Sequence, residues 1–216
     1  MSLRLRLSAA LAISALSACT AFAATYDSVD FFRAVNVDNA DAVSRMLAAG
    51  LDPNQLDTHG QPALILALQG ESLKVAKVLW DAKGIQIDIR NRAGETPLMM
   101  AALKAEVDAA TALVAHGAAV RKDGWSPLHY AATGGSAAIV RLLLAKGALL
   151  EARSPNGSTP LMMAARYGNE EAVDALLAAG ADRSLKNDLG MNAAAFAASA
   201  GRDKLAARLR VAAAAK

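Results

Sequence analysis

The stretch of sequence that decides the fold is 157–165, which reads GSTPLMMAA. Its Thr-Pro pair is typical of a helix start. A threonine hydroxyl accepts a hydrogen bond from an N–H group of the first turn, and proline has no N–H group that would be left unpaired there. The stretch therefore predicts a turn at the glycine and a helix that begins at Pro160.

The same pattern recurs along the chain. It returns closely at 94–102 (GETPLMMAA) and at 124–132 (GWSPLHYAA), and in weaker form at 60–68 (GQPALILAL) and 190–198 (GMNAAAFAA). The leading glycines lie 34, 30, 33 and 33 residues apart. A motif spaced in this way is typical of a solenoid, in which each repeat contributes one supersecondary unit.

A second periodic glycine indicates a second helix in each repeat. These glycines each follow a short apolar-periodic run, such as that of Ile139, Leu142 and Leu143, and a left-handed residue commonly ends a helix at that place. They are Gly50, Gly84, Gly117, Gly147 and Gly180. One helix pair cannot bury both of its apolar faces alone, so we expect stability to come from stacking on the neighbouring pairs.

With these motifs the sequence resembles the ankyrin-repeat family, whose signature is Thr-Pro-Leu-His-x-Ala. The resemblance implies an all-α ankyrin-repeat solenoid of about six helix-turn-helix units with short hairpin fingers. It covers most of a predicted repeat domain at 24–216. The predicted repeats are 27–57, 58–90, 91–120, 121–153, 154–186 and 187–216.

Three departures from the pattern carry structural expectations. Pro62 stands where a Thr or Ser would cap the helix, so the hydroxyl cap is missing there, whereas Asn192 can still cap the last copy. Gly117 and Gly124 are only 7 residues apart, against 10 at every equivalent place. The finger between them must be three residues shorter, and we expect a notch in the row of fingers directly before Trp125.

The first residues read as a secretory signal peptide at 1–23. Arg4 and Arg6 precede the charge-free stretch 7–18, and the Ala-Phe-Ala at 21–23 is a cleavage pattern. We therefore predict a periplasmic protein. The alternative is a lipobox at 16–19, with Cys19 acylated and the protein an envelope scaffold anchored in the membrane. Cleavage after Ala23 lowers the formal net charge from +3 to about +1, because two arginines and no acidic residue are lost.

Composition argues against several classes of function. No dense Lys/Arg stripe with interleaved aromatics is present, so we expect no nucleic-acid binding. The repeats contain no cysteine, and no histidine is spaced for a metal site or a catalytic triad. The pairs Met99–Met100 and Met162–Met163 are interpreted as packing residues rather than copper ligands. The sequence therefore predicts no enzyme, no cofactor and no metal.

The resemblance implies a protein–protein interaction module that uses its concave face and finger tips. Finger positions such as Asn91, Ser154 and Asn187 belong to that expectation. Small exported ankyrin-repeat proteins of proteobacteria are similar, and some are linked to antioxidant enzymes such as catalase, which gives an accessory role as an alternative. We expect a monomer that binds an unidentified protein. The candidate contact residues are Trp125, Arg166, Tyr167, Lys104, Thr133, Arg92, Glu95, His59, Gln61, Asn156 and Ser158.

Overall fold

The computed structural model describes residues 27–211, and these form twelve short helices in six pairs. Each predicted repeat range contains one pair, so the all-α solenoid is confirmed. The helices are α1 (Ser28–Asn36), α2 (Ala40–Ala48), α3 (Ala63–Gln69), α4 (Leu73–Trp80), α5 (Pro97–Leu103), α6 (Val107–Ala115), α7 (Pro127–Gly134), α8 (Ala137–Ala145), α9 (Pro160–Arg166), α10 (Glu170–Ala178), α11 (Ala193–Ser199) and α12 (Asp203–Val211).

The helix starts follow the motif. Thr96 Oγ1 accepts the N–H group of Met99 at 3.3 Å, and the Asn192 side chain accepts that of Ala195 at 3.0 Å. Pro62 provides no side-chain cap, as its residue type requires. The sequence thus determines where each first helix begins, and it does so through local hydrogen bonds.

The first helices of the pairs stack in chain order from α1 to α11, and the second helices form another row from α2 to α10. One continuous apolar core runs between the two rows. Paired alanines on the first helices are fully buried, which lets neighbouring repeats approach closely. At Gly134 and Gly168 the approach is closest, because a Cβ there would overlap the carbonyl oxygens of Leu103 and Ala132, respectively.

Four of the five fingers are closed by a hydrogen-bonded turn. In the second finger, for example, the Asn91 N–H group donates to Glu95 O at 3.1 Å and the Gly94 N–H group donates to Asn91 O at 2.9 Å. Within residues 27–211 the fingers contain no strand, only an isolated bridge between Leu56 and Pro62. The fingers are therefore turns rather than extended hairpins.

The shortened third finger is closed differently. Neither turn hydrogen bond of the other fingers occurs among its residues, all of which the structure describes. Arg121 occupies the first position of the turn, and its Nε donates to Gly147 O, just after α8 of the same repeat. Lys122 Nζ donates to Trp125 O at 3.2 Å. Long cationic side chains thus hold a loop that is too short for the usual turn.

None of the twelve helices described for residues 27–211 has the length and apolar character required to cross a membrane.

Candidate protein-binding face

Trp125 lies directly after the shortened finger and is fixed by the helix start that follows. Its ring packs edge-on against the His129 imidazole, with 5.4 Å between centroids and an interplanar angle of 77°. His129 is fully buried, and its Nε2 donates to Ser158 O at 3.0 Å, so its Nδ1 is the acceptor for the Ser126 N–H group at 3.2 Å. Because both ring nitrogens of His129 are hydrogen-bonded, the imidazole is held in place, and it in turn positions the Trp125 ring that packs against it.

Burial sets the charge state of His129. Loss of solvation lowers the pKa of the imidazole, and the carbonyl acceptors of Ser158 and Ala152 offset only part of that shift. The neutral form is the one that accepts at Nδ1 while it donates at Nε2. His129 is therefore a structural residue.

Five side chains from the third, fourth and fifth repeats line an open apolar pocket of about 180 Å³. We call this set the Trp125 pocket. Leu103 comes from the end of α5, Thr133 and Tyr130 come from α7, and Met163 comes from α9. The stacking of consecutive first helices brings them together, since each occupies an outward position on its own helix. The pocket consists of Leu103, Trp125, Tyr130, Thr133 and Met163.

Tyr130 is a pocket residue that the sequence analysis missed, and Met163, interpreted there as a packing residue, lines the pocket as well. Its hydroxyl donates to Glu95 Oε1 at 2.7 Å, and Asn91 Nδ2 donates to Glu95 Oε2 at 2.7 Å. Burial and the neighbouring Glu95 carboxylate both raise the pKa of Tyr130, so the hydroxyl stays protonated and holds the ring in place. Tyr130 and Met163 occupy equivalent positions of α7 and α9, and both line the pocket. The position within the repeat was therefore the feature of the sequence that could have identified Tyr130.

Arg166 and Tyr167 extend this surface along the stack. The Arg166 guanidinium lies over the Tyr167 ring at 5.1 Å, and its Nη1 donates to Ser199 Oγ at 3.1 Å. Tyr167 is 56% exposed, which is unusual for so large a ring. We call the Trp125 pocket together with Arg166 and Tyr167 the Trp125 face.

Two further candidates, Lys104 beside this face and Thr133 within it, are engaged internally. Lys104 Nζ forms an ion pair with Glu71 Oε1 at 2.9 Å, and Thr133 Oγ1 donates to His129 O at 2.9 Å. Glu95, predicted as a contact residue, instead supports Tyr130. These residues shape the surface more than they offer free polar groups to a partner.

The remaining finger candidates do not line the pocket. His59 and Gln61 lie on the first finger, where His59 Nδ1 is 3.6 Å from Asp57 Oδ2 and Gln61 is half-buried. Arg92 on the second finger is exposed, as is Asn156 on the fourth. The structure therefore divides the predicted contact residues into the compact Trp125 face and scattered finger positions.

The prediction that Ser158 contacts a partner must be corrected. It is only 1% exposed, and its N–H group donates to Ser154 Oγ at 3.0 Å, so it is not available to a partner. Asn91, Ser154 and Asn187 are buried as well. Each begins a finger turn, and its side chain accepts N–H groups of that turn. These side chains are directed inward because they complete the turn.

The described residues contain no cluster of three or more His, Cys, Asp or Glu side chains able to hold a metal ion. The predicted signal peptide at 1–23 and the lipidation candidate Cys19 lie outside the described residues. The Trp125 face combines an apolar pocket with an exposed aromatic ring and a cation, an arrangement suited to binding.

A family model described as "Ankyrin repeats (3 copies)" matches residues 31–121, 83–154, 108–187 and 149–213. The chain is 34% identical over 125 residues to B-cell lymphoma 3 protein homolog of Mus musculus, a match that covers 55% of this chain and 28% of that protein. It is 39% identical over 133 residues to SH3 and multiple ankyrin repeat domains protein 1 of Homo sapiens, covering 59% of this chain and 6% of that protein. The chain thus spans less than a third of these relatives.

A solved structure matches this chain over a larger share of both proteins. It is titled as the Bd0816 predatory endopeptidase from Bdellovibrio bacteriovorus in complex with immunity protein Bd3460. A chain of that structure has a TM-score of 0.70 and 27% identity to this chain, and the match covers 85% of this chain and 99% of the other.

Proposed function

The chain belongs to the ankyrin-repeat family, and from that premise we propose that it is an exported, non-catalytic module that binds a protein partner through the Trp125 face. The family's repeats are protein–protein interaction modules. The observation that carries the proposal is the exposed Tyr167 ring beside the pocket that contains Trp125. Tryptophan, tyrosine and arginine are the residue types that contribute most to interface hot spots.

Export is supported by the order of residues at the start of the sequence. The two arginines, the apolar stretch 7–18 and Ala-Phe-Ala at 21–23 occur in the order that signal peptidase requires. Mass spectrometry of the protein from the envelope fraction tests this, with a mature chain that begins at Ala24 as the expected result. A diacylated Cys19 at the N-terminus would favour the anchored scaffold instead.

The binding role is tested by capture from an envelope extract. The bait proteins are the wild type, the double variant Trp125→Ala/Tyr167→Ala, and the control double variant Leu149→Ala/Leu189→Ala, which removes exposed apolar side chains outside the face. We expect wild type and control to retain the same protein and the face variant to lose it. Equal recovery of every captured protein by all three baits would contradict the proposal.

The match to the endopeptidase complex supports a second, more specific function, in which the partner is an envelope endopeptidase that the protein inhibits. This differs from an accessory role beside an antioxidant enzyme, and the captured protein decides between them. We expect added wild-type protein to lower the endopeptidase activity of the extract, and Trp125→Ala/Tyr167→Ala to have no effect. Unchanged activity with the wild type would remove this candidate while leaving the binding role in place.

A further inference from the structure

The size of the Trp125 pocket limits what it can accept. Its volume of about 180 Å³ is close to that of an apolar cavity of about 150 Å³ that holds one benzene molecule. Sites for cofactors and drug-sized ligands are usually larger, about 300–1,000 Å³. The pocket therefore fits one phenyl or branched aliphatic group, which is the size of a single side chain.

Two residues at or beside the pocket, Trp125 and Arg166, have donor groups without an acceptor among the described residues. The Trp125 indole N–H group forms no hydrogen bond with any residue of the described part. Within 27–211 no carboxylate pairs with Arg166, and one of its nitrogens donates to Ser199 while Nε and Nη2 have no acceptor. A partner that satisfies these groups must supply an acceptor, and a carboxylate satisfies the guanidinium best.

The one carboxylate that touches a pocket residue is already occupied. Glu95 accepts from Tyr130 at Oε1 and from Asn91 at Oε2. Glu95 lies at the end of the second finger, in the repeat before that of Trp125, whereas Arg166 lies in the repeat after it.

Lys104, next to Leu103, is paired with Glu71, and Lys122 Nζ donates to Trp125 O. Unlike these two lysines, Arg166 pairs with neither a carboxylate nor a main-chain carbonyl among the described residues.

On the premise of the proposed function, we propose that the partner inserts one aromatic or branched aliphatic side chain into the Trp125 pocket and places an adjacent carboxylate against Arg166. The carboxylate is directed toward the fifth repeat, because the guanidinium of Arg166 attracts it there. The recognised element is therefore a short protein segment that carries an apolar anchor beside an acidic residue.

The test uses capped dipeptides as probes and the two tryptophan indole N–H signals in nitrogen–proton correlation spectra. The probes are N-acetyl-Phe-Glu-amide, N-acetyl-Phe-Lys-amide and N-acetyl-Ala-Glu-amide. Trp80 is 7% exposed on α4, so its signal is an internal control. We expect the Phe-Glu probe to shift the Trp125 signal with about threefold higher affinity than the Phe-Lys probe, as for an exposed ion pair. The Ala-Glu probe leaves both signals unchanged.

Two variants separate the parts of the proposal. Arg166→Gln removes the preference for Phe-Glu and retains binding of both Phe probes. Arg141→Gln is the matched control, since Arg141 is exposed on α8 in the other row of helices, and it keeps the preference. The preference should also weaken at high ionic strength, because exposed charges are screened by salt.

Equal affinities for Phe-Glu and Phe-Lys, or a preference that survives Arg166→Gln, would overturn the acidic part of the proposal. Absence of any Trp125 shift up to the solubility limit of the Phe probes would overturn the anchor pocket itself. Neither result decides the proposed function, which depends on whether the captured protein is lost from the Trp125→Ala/Tyr167→Ala bait.

Discussion

The helices α7 and α9 begin with the same motif, yet different chemistry fixes the two starts. In α9, Met162 Sδ accepts the Thr159 N–H group at 3.4 Å and the side chain reaches no further polar partner. In α7, His129 occupies the same position, closes the turn at Ser126 and also donates to Ser158 O in the next repeat. The imidazole therefore links two repeats, whereas the thioether serves only one.

The residue that differs, His129, packs against Trp125 of the proposed binding surface. Only the fourth repeat combines the imidazole link with a shortened finger, and Trp125 lies between the two. A thioether would fill the space but would donate no hydrogen bond across the repeat boundary. We infer that the hydrogen bonds of His129 at the start of α7 hold Trp125 in position. Met162, at the equivalent place in α9, forms no such bonds between repeats and contributes only packing.

The strongest test of the comparison removes each side chain in turn. His129→Ala leaves a cavity and the unpaired Ser158 O and Ser126 N–H groups, so we expect a loss of about 4 kcal/mol in the free energy of unfolding. Met162→Ala leaves mainly a cavity and should lose about 3 kcal/mol. Urea unfolding measures both losses. In native protein the Trp125 indole signal should shift with His129→Ala and stay in place with Met162→Ala. A signal that responds equally to both would contradict the link.

A feature that α7 and α9 share offers a second test. Gly134 and Gly168 both pack on a carbonyl oxygen of the preceding first helix, so Gly134→Ala and Gly168→Ala should each lose about 2 kcal/mol through steric overlap. Gly70 is the control, since a Cβ there would lie 3.4 Å from Leu66 O in ordinary contact. Gly70→Ala should be neutral or slightly stabilising in the same unfolding measurement. Similar losses at all three glycines would show that close approach is not the cause.

The variant His129→Met, which places the thioether of α9 in α7, tests the comparison through the pH dependence of stability. Burial lowers the pKa of His129 below the value of about 6.5 in the unfolded chain. The unfolded state therefore binds more protons as the pH falls, and the stability that His129 contributes is complete above about pH 6.5 and is lost below it.

At pH 7.5 we expect His129→Met to cost about 1 kcal/mol, because Ser158 O loses its donor. The difference from the wild type should narrow by up to about 1.4 kcal/mol per pH unit below 6.5. Unfolding curves recorded from pH 7.5 to 5 give this difference directly, since all other titrating groups are common to both proteins. A constant difference would mean that His129 does not titrate on unfolding.

The smallest effect concerns the residue between the two helices of a pair. Ala105 adopts φ 58°, whereas Gly135 takes the equivalent place after α7 with φ 79°. Left-handed backbone is unfavourable for alanine, so Ala105→Gly should stabilise the protein by about 0.5–1 kcal/mol despite the greater flexibility of glycine. Ala138→Gly, at an exposed position of α8, should instead destabilise by about the same amount in thermal unfolding. The same sign for both variants would contradict the strain at Ala105.

The sequence determined the helix pairs because their signals are local. The Thr-Pro starts, the glycine ends and the apolar spacing each depend on a few neighbouring residues, and the repetition of the motif fixed the stacking order. Trp125 was chosen as a candidate because it follows a motif glycine, and it lines a pocket, while its contact with a partner stays a prediction.

The errors concern which way a side chain faces, which depends on contacts between repeats. Ser158 was predicted to face a partner, but the turn that begins at Ser154 and the imidazole of His129 enclose it. Tyr130 was missed, because its exposure depends on the close packing of α5, α7 and α9 rather than on its own helix. Patterns within one repeat do not contain that information.

Photo-crosslinking in the envelope tests the central claim, that the Trp125 face binds a protein, most directly. A benzophenone amino acid replaces Trp125 in one variant and Leu189 in another, where Leu189 is 77% exposed on the last finger and serves as the control. We expect one discrete covalent adduct from position 125 on illumination and none from position 189. An adduct of the same size from both positions, or none from position 125, would contradict it.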